Sequence, residues 1–193
     1  MNWYDKLKDY FPVEEMKSKK HMELLLQEKG DVYHKDESSD HVLMYAEFDS
    51  FIFIDYIWVS PKTRGQGIGH QLIEKLKAKN KPIILEVEPV DYEDTDTEKR
   101  LHFYQRENFT HATSIGYNRR SLATNEETPM EILYWSPNNE SEEVIFDKMR
   151  KMYEDIHTYK DEEIYGKSYQ PTDEVLIYDE NRSTDNILNN LEK

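Results

Sequence analysis

At 193 residues the chain can hold one domain with an appendage and a real hydrophobic core, although apolar residues make up only 37% of it. A formal net charge of -15 argues against non-specific nucleic-acid binding; it favours solubility and a cationic partner such as an amine. There is no cysteine, which excludes disulfides, zinc–thiolate sites and cysteine nucleophiles, and neither an apolar leader in "MNWYDKLKDYF" nor a membrane-length apolar run occurs, so a soluble, cytoplasmic protein without membrane partners is expected.

In chain order, "FPVEEMKSKKHMELLLQEKG" predicts a helix with Pro12 in its first turn and a stop at Gly30, and with Met16, His21, Leu24 and Leu25 roughly on one face. "DVYHKDE" alternates and predicts a strand, and "SSD" a turn. "HVLMYAEF" and "FIFIDYIWV" follow as two strands joined by "DS", a link short enough to make them antiparallel neighbours. "GHQLIEKLKAKN" carries Leu72, Ile73 and Leu76 at helical spacing, and "PIILEVEP" is a short strand. "DTDTEKRLHFYQREN" predicts a helix capped by Thr95 or Thr97. "FTHATSIGY" and "MEILYW" read as two strands around a polar loop, "NRRSLATNEETP". Beyond "WSPNNES" the amphipathic helix "EEVIFDKMRKMYEDIH" carries Val144, Ile145, Met149, Met152 and Ile156 as its apolar stripe. The remainder, to Lys193, is acidic around "VLIY".

These shifts divide the chain into a core domain at residues 1–136 and a helical acidic extension at 137–193, with residues beyond about 180 expected to be poorly ordered. The extension's stripe requires cover from the core or from a second subunit, so a homodimer is one arrangement that would supply it.

The densest information lies in "VSPKTRGQGIG", where three of the chain's 6 glycines fall at alternate positions behind an arginine. A strand ending at Val59 leads into a helix starting near Gly67, and a helix N-terminus presents unpaired N–H groups and partial positive charge. Gly65, Gly67 and Gly69 allow the backbone to approach an anion closely, and Lys62 and Arg64 add charge. Two other phosphate motifs fail. A P-loop needs Lys-Ser/Thr after its last glycine, whereas His70 and Gln71 stand here; a dinucleotide fingerprint from Gly65 would need glycine at His70.

The segment "VSPKTRGQGIGHQLIEKL" resembles the acetyl-CoA-binding segment of the GNAT N-acetyltransferase superfamily. Arg64, Gly67 and Gly69 fill its Arg/Gln-x-x-Gly-x-Gly/Ala signature, and Val59 and Pro61 its approach. Downstream, "LHFYQRENF" resembles a second segment of that family, and the likeness spans about residues 40–135. It implies an α/β (α+β) fold: a mixed, mainly antiparallel central sheet of six to seven strands flanked by helices. It also implies acetyl-CoA as co-substrate. The CoA pyrophosphate would sit on the amides of Arg64, Gly65, Gln66, Gly67, Ile68, Gly69 and His70, and the pantetheine arm would pair with the backbone of Ile57, Trp58 and Val59. Two strands that splay apart, here "FIFIDYIWV" and "IILEVEP", would bring the substrates together. The chain departs from the family's pattern at Thr97 and Arg100, where asparagine and alanine are usual, and at Asn108 in place of glycine.

The implied activity is transfer of an acetyl group to a primary amine by direct attack in a ternary complex; the alternative is a catalytically silent CoA-binding sensor or interaction module. Tyr104 occupies the family's tyrosine position, and a tyrosine, with an ordinary pKa of about 10, can protonate a leaving thiolate. Asp55 alternates with Phe53, Ile57 and Val59, and Glu86 and Glu88 share a face of the next strand; each is a candidate base or a holder of the amine. A backbone amide near Val59 would polarise the carbonyl. No spacing suggests a metal, and the acceptor, a small-molecule or peptide amine, is left open.

Overall fold

A computed structural model of the chain describes residues 1–189 and 191. The fold is a mixed, mainly antiparallel sheet flanked by helices. The first helix, α1 (Trp3–Tyr10), starts where the Asn2 side chain accepts from Asp5 N at 2.9 Å. The helix expected from Pro12 to Gly30 is two pieces: a single 3-10 turn at Val13–Glu15, then α2 (Lys19–Glu28). Ser18 causes the break. Its hydroxyl accepts from His21 N at 3.2 Å, so the helix restarts there as from any N-cap serine. The Tyr56 hydroxyl holds the broken segment, donating to Glu15 O at 2.7 Å and accepting from Lys17 N at 2.8 Å.

Strands β1 (Tyr33–Glu37), β2 (His41–Glu47) and β3 (Ile52–Val59) form the expected antiparallel meander. Helix α3 (Ile68–Lys77) crosses to β4 (Ile83–Val87), which lies parallel to β3. Helix α4 (Thr95–Arg106) follows, capped not by a threonine but by Asp94, whose carboxylate accepts from Asp96 N at 2.9 Å. "FTHATSIGY" divides into β5 (Thr110–His111) and β6 (Ile115–Arg120), both antiparallel to β7 (Glu127–Trp135). Strand β6 runs through Arg120 and β7 begins at Glu127, so half of the expected polar loop is strand.

The extension supplies α5 (Glu142–Met152), a π-helical turn at Tyr153–His157, α6 (Asp161–Tyr165), α7 (Thr172–Val175) and β8 (Leu176–Tyr178). The "VLIY" patch is thus in part a strand, and it pairs with β6 to close an eight-stranded sheet in the order β1-β2-β3-β4-β7-β6-β8, with β5 beside β7.

Period-2 alternation divides the core between the two faces of the sheet. On one face α1, α2 and the extension cover Phe53, Ile84 and Ile132; on the other, α3 and α4 cover Ile52, Ile54 and Leu85. Ile145, Met149, Met152 and Ile156 of the extension's stripe are fully buried, whereas Val144 is exposed. Polar ties reinforce this packing: His21 bridges the Tyr165 hydroxyl and Ile156 O, each at 2.9 Å, and Arg182 pairs with Glu131 at 2.7 Å. The final described segment returns to the opposite face, where Leu188 is buried and its carbonyl accepts from Gln105 at 2.7 Å. The expectation of poor order beyond about 180 falls in part on residues 190, 192 and 193, which lie outside the described residues. Among the described residues no helix is long and apolar enough to cross a membrane.

Candidate functional site

Gly67 is the N-cap of α3, with φ 82°, and no side chain caps the helix. Its first amides are therefore available to a ligand, as at any uncapped helix start. Gly65 also has positive φ (80°), and a β-carbon built at either position would meet open space. At Gly69 a β-carbon would meet the Phe103 ring at 3.1 Å, so that glycine sets how closely α3 approaches α4. Arg64 Nε donates to Val59 O at 3.3 Å, and its guanidinium lies over the Tyr10 ring. His70 pairs through Nδ1 with Glu107 at 2.9 Å. Trp58 packs with the cluster under α1 and the extension, with the Lys6 ammonium over its ring. Gln66 Nε2 reaches Lys62 O at 3.5 Å. His70, Glu74 and Glu107 also bring one ligand atom each within 4.8 Å of one another; Lys77 stands beside them, 3.7 Å from Glu74 and donating to Glu107 O.

From this loop a cleft of about 520 Å³ runs inward, lined by Ile57, Val59, Gly65, Gly67, Tyr104 and the carboxylates of Glu15, Asp55, Glu86 and Glu88. Its origin is the sheet register. Strands β3 and β4 pair only from Ile52–Ile83 to Ile54–Leu85 and then separate. Asp55 and Glu86 are the first residues past the last pair. The expected alternation of Phe53, Asp55, Ile57 and Val59 on one face does not hold, because Met44 pairs with Tyr56 and Tyr45 with Ile54. Asp55 is the extra residue of a β-bulge, and bulges re-aim side chains. Phe53 and Tyr56 consequently belong to one core face, and Ile54 and Ile57 to the other.

The bulge and the broken helix together sort the carboxylates. Asp55 is held by Lys17 Nζ at 2.7 Å and by the Tyr33 hydroxyl at 2.6 Å. Burial would raise its pKa, but Lys17, His157 and Tyr33 bring it below the ordinary value. Glu86 accepts from the Tyr117 hydroxyl at 3.2 Å and pairs with His157 Nε2 and, at 3.5 Å, with Arg119. Burial again opposes ionisation, yet His157 and Arg119 pull the Glu86 carboxyl down to about 2. Both are fixed anions and weak bases. Glu88 differs: its nearest cation is Arg100 at 3.9 Å, and it lines the cleft beside Glu15. Burial and the neighbouring Glu88 carboxylate push Glu15 up to about 9, so it holds its proton at neutral pH. Tyr104 is buried against Phe103 and Phe109 at the cleft wall. Burial pushes its hydroxyl pKa up while Arg100 draws it down, so it too is protonated.

Glu15, Lys17, Arg100, Arg119 and His157 were not among the candidate site residues. Arg119 carried a readable signal, because it alternates inward with Ile115 and Tyr117. Arg100 was visible only as a departure from the family pattern. The other departure, Thr97, turns back into the preceding loop: it donates to Asp94 O at 2.8 Å and accepts from Asp91 N at 2.9 Å.

The Glu15 assignment has a direct consequence for stability. Its folded-state pKa lies above the ordinary 4.5, so the folded protein holds an extra proton between pH 4.5 and about 9, and stability is lost as pH rises through that window. Glu15→Gln cannot ionise. Its melting temperature relative to the parent protein is expected to rise steadily from pH 4.5 to 9; a gap independent of pH would show that Glu15 ionises normally.

Residues 29–111 match the family model described as "Acetyltransferase (GNAT) domain". A protein of Bacillus subtilis (strain 168), YjbC, whose name provisionally makes it an acetyltransferase, is 66% identical over 191 residues, spanning 99% of this chain and 100% of that protein. A solved structure from Bacteroides thetaiotaomicron, provisionally named as a GNAT-family acetyltransferase, superposes with a TM-score of 0.60 at 22% identity. That superposition covers 85% of this chain and 90% of the other, and it bears on the fold alone.

Proposed function

The chain belongs to the GNAT acetyltransferase superfamily, and on that premise we propose that it moves an acetyl group from acetyl-CoA to a primary amine by direct attack in a ternary complex. The observation that carries this reading is one continuous cleft. It joins an uncapped, glycine-lined helix start to a tyrosine and a carboxyl pair at the point where β3 and β4 part. The loop suits a diphosphate, because open space lies where β-carbons at Gly65 and Gly67 would project. The amides from Arg64 to His70 would hold the CoA pyrophosphate, and the backbone of Ile57, Trp58 and Val59 would hold the pantetheine arm. Bound acetyl-CoA supplies the activated thioester.

The chain's own groups then have separate tasks. Glu88 takes a proton from the acceptor ammonium, which frees the nitrogen lone pair. A backbone amide near Val59 stabilises the charge that develops on the carbonyl oxygen. Tyr104 gives its proton to the departing sulfur. Asp55 and Glu86, fixed by Lys17, His157 and Arg119, hold the splayed strands in place rather than moving protons.

Initial rates of thiol release, with acetyl-CoA and amine varied together, test the ternary complex. Intersecting lines are expected; parallel lines would mean a covalent acetyl-enzyme and overturn direct attack. The loop assignment is tested by Gly67→Val. Valine is strained at φ 82°, and its branches would project into the space assigned to the pyrophosphate. CoA affinity is expected to fall more than tenfold, about 1.4 kcal/mol. Unchanged affinity by calorimetry in a folded variant would displace the cradle.

A further inference from the structure

The last described segment ends against the helix that carries Tyr104, and a series of fixed points leads it there. Beyond β8 the Arg182 guanidinium donates to Thr113 O at 3.3 Å and Ile115 O at 2.9 Å. It also forks onto both carboxylate oxygens of Glu131, at 3.0 and 2.7 Å. Ile187 N then donates to His111 Nδ1 at 3.2 Å, and the other ring nitrogen meets Glu131 at 2.9 Å. The buried imidazole therefore carries its hydrogen on Nε2 and keeps Nδ1 bare to accept. One residue later the Leu188 carbonyl accepts from Gln105 Nε2 of α4 at 2.7 Å. The Leu188 side chain is buried in one apolar cluster with Leu101, Tyr104 and Phe109. Asn186 shapes this final turn, its Oδ1 accepting from Leu188 N at 2.9 Å and its carbonyl from Asn189 N at 3.1 Å.

We propose that this tail is a positioning strap for catalysis, in which Gln105, tied to the Leu188 carbonyl, sets the orientation of α4 and with it the Tyr104 hydroxyl. The inference rests on the acetyltransferase reading and adds to it a positioning residue and a task for the end of the extension.

The geometry of α4 carries the argument. Successive side chains of a helix point about 100° apart, so Tyr104 lines the cleft while its neighbour Gln105 reaches the tail. Any turn or slide of α4 moves both together. The start of the helix is tied only to its own approach, through the Asp94 cap and the bonds of Thr97 to Asp91 and Asp94. The last turn is gripped from outside. Lys77 Nζ donates to Glu107 O at 2.7 Å and His70 pairs with the Glu107 carboxylate, both from α3, while Leu188 O holds Gln105. Because the tail is anchored to His111 of β5, Ile115 of β6 and Glu131 of β7, it refers α4 to the sheet itself. A proton donor works only within hydrogen-bond reach of the atom it serves, and a misplacement of about 1 Å can cost about a hundredfold in rate. One neutral hydrogen bond adds little to global stability, so losing it registers in turnover before it registers in folding.

The test is steady-state kinetics of the full chain with acetyl-CoA. The acceptor is whichever of n-butylamine, 1,4-diaminobutane and a terminally blocked lysine peptide the parent protein acetylates fastest. Gln105→Met keeps the length and apolar stem of the side chain and removes the donor. Its kcat is expected to fall about tenfold, with CoA affinity by calorimetry and melting temperature nearly unchanged. Gln105→Lys restores a donor and should recover most of that loss. Leu188→Ala removes the apolar half of the contact; assayed where it stays folded, it should show a similar fall in kcat, and it serves should Gln105→Met fail to fold. In a Tyr104→Phe background Gln105→Met should lower kcat no further, because the strap acts through that hydroxyl. Normal kcat in both Gln105→Met and Leu188→Ala, or an equal loss with and without the Tyr104 hydroxyl, would overturn the strap while leaving the acetyltransferase reading intact. A parent protein that acetylates none of the three amines would instead overturn that reading, and the strap with it.

Discussion

Tyr104→Phe is expected to lower turnover by about 10² or more while leaving CoA affinity nearly unchanged. The substitution removes one hydroxyl and keeps the ring, which is packed edge-on against Phe103 and Phe109. A hundredfold loss corresponds to about 2.7 kcal/mol of transition-state stabilisation, within the ordinary reach of a positioned general acid. CoA affinity is insulated, because the helix start and the β3 edge account for most of its binding in this scheme. If Tyr104 were only a core aromatic, the pattern would reverse: a small drop in melting temperature and near-normal turnover in the folded fraction. Turnover and melting measured on the same variant separate the two, and a fully active variant would remove Tyr104 from the chemistry.

Ending the chain at Ser136 is expected to abolish the soluble monomer. Ile145, Met149, Met152 and Ile156 are fully buried, and at about 1.5–3 kcal/mol each their burial is worth on the order of 6–12 kcal/mol. The net stability of a whole domain is only about 5–15 kcal/mol. Truncation would also strip β8 from β6 and leave the apolar sheet face around Ile84 and Ile132 wet. Removing His157 would leave the buried Glu86 with Arg119 as its one charged partner and the Tyr117 hydroxyl, a further cost. A truncated protein that remained soluble, monomeric and equally stable would refute this account of the extension.

The glycine loop was readable because glycine spacing is a backbone requirement, and positive φ at Gly65 and Gly67 is that requirement met. The meander of β1, β2 and β3 was readable for a similar reason: short links force neighbouring strands. Asp55 was found but its direction was misread, since strict alternation has no place for the bulge opposite Met44 and Tyr45. Glu15 and Lys17 were hidden inside an apparently continuous helix. The apolar spacing runs across the break, and Ser18 as a mid-helix cap was the unused signal. His157 had no local signal. It lies in a π-helical turn that shifts the helical phase, and its partner Glu86 is 71 positions away in sequence. Pairings of that separation become visible only once the sheet is assembled.

The electrostatics of the site unite these unread residues. Three of the four carboxylates at the cleft's inner end are neutralised by groups from α4, β6 and the segment before α2, with His157 of the extension also on Glu86. A site built from six separated segments, the one before α2, β3, β4, α4, β6 and the extension, fixes its anions firmly.

The central claim, that this cleft acetylates amines rather than merely holding CoA, is tested most directly by mass spectrometry of one reaction mixture. The full chain would be incubated with acetyl-CoA and a panel of primary amines, and acetylated amine and free CoA quantified together. The account predicts equal amounts of both, absent without amine and sharply reduced in Tyr104→Phe. Tight acetyl-CoA binding with no acetylated product from any amine would contradict it and make the chain a CoA-binding module.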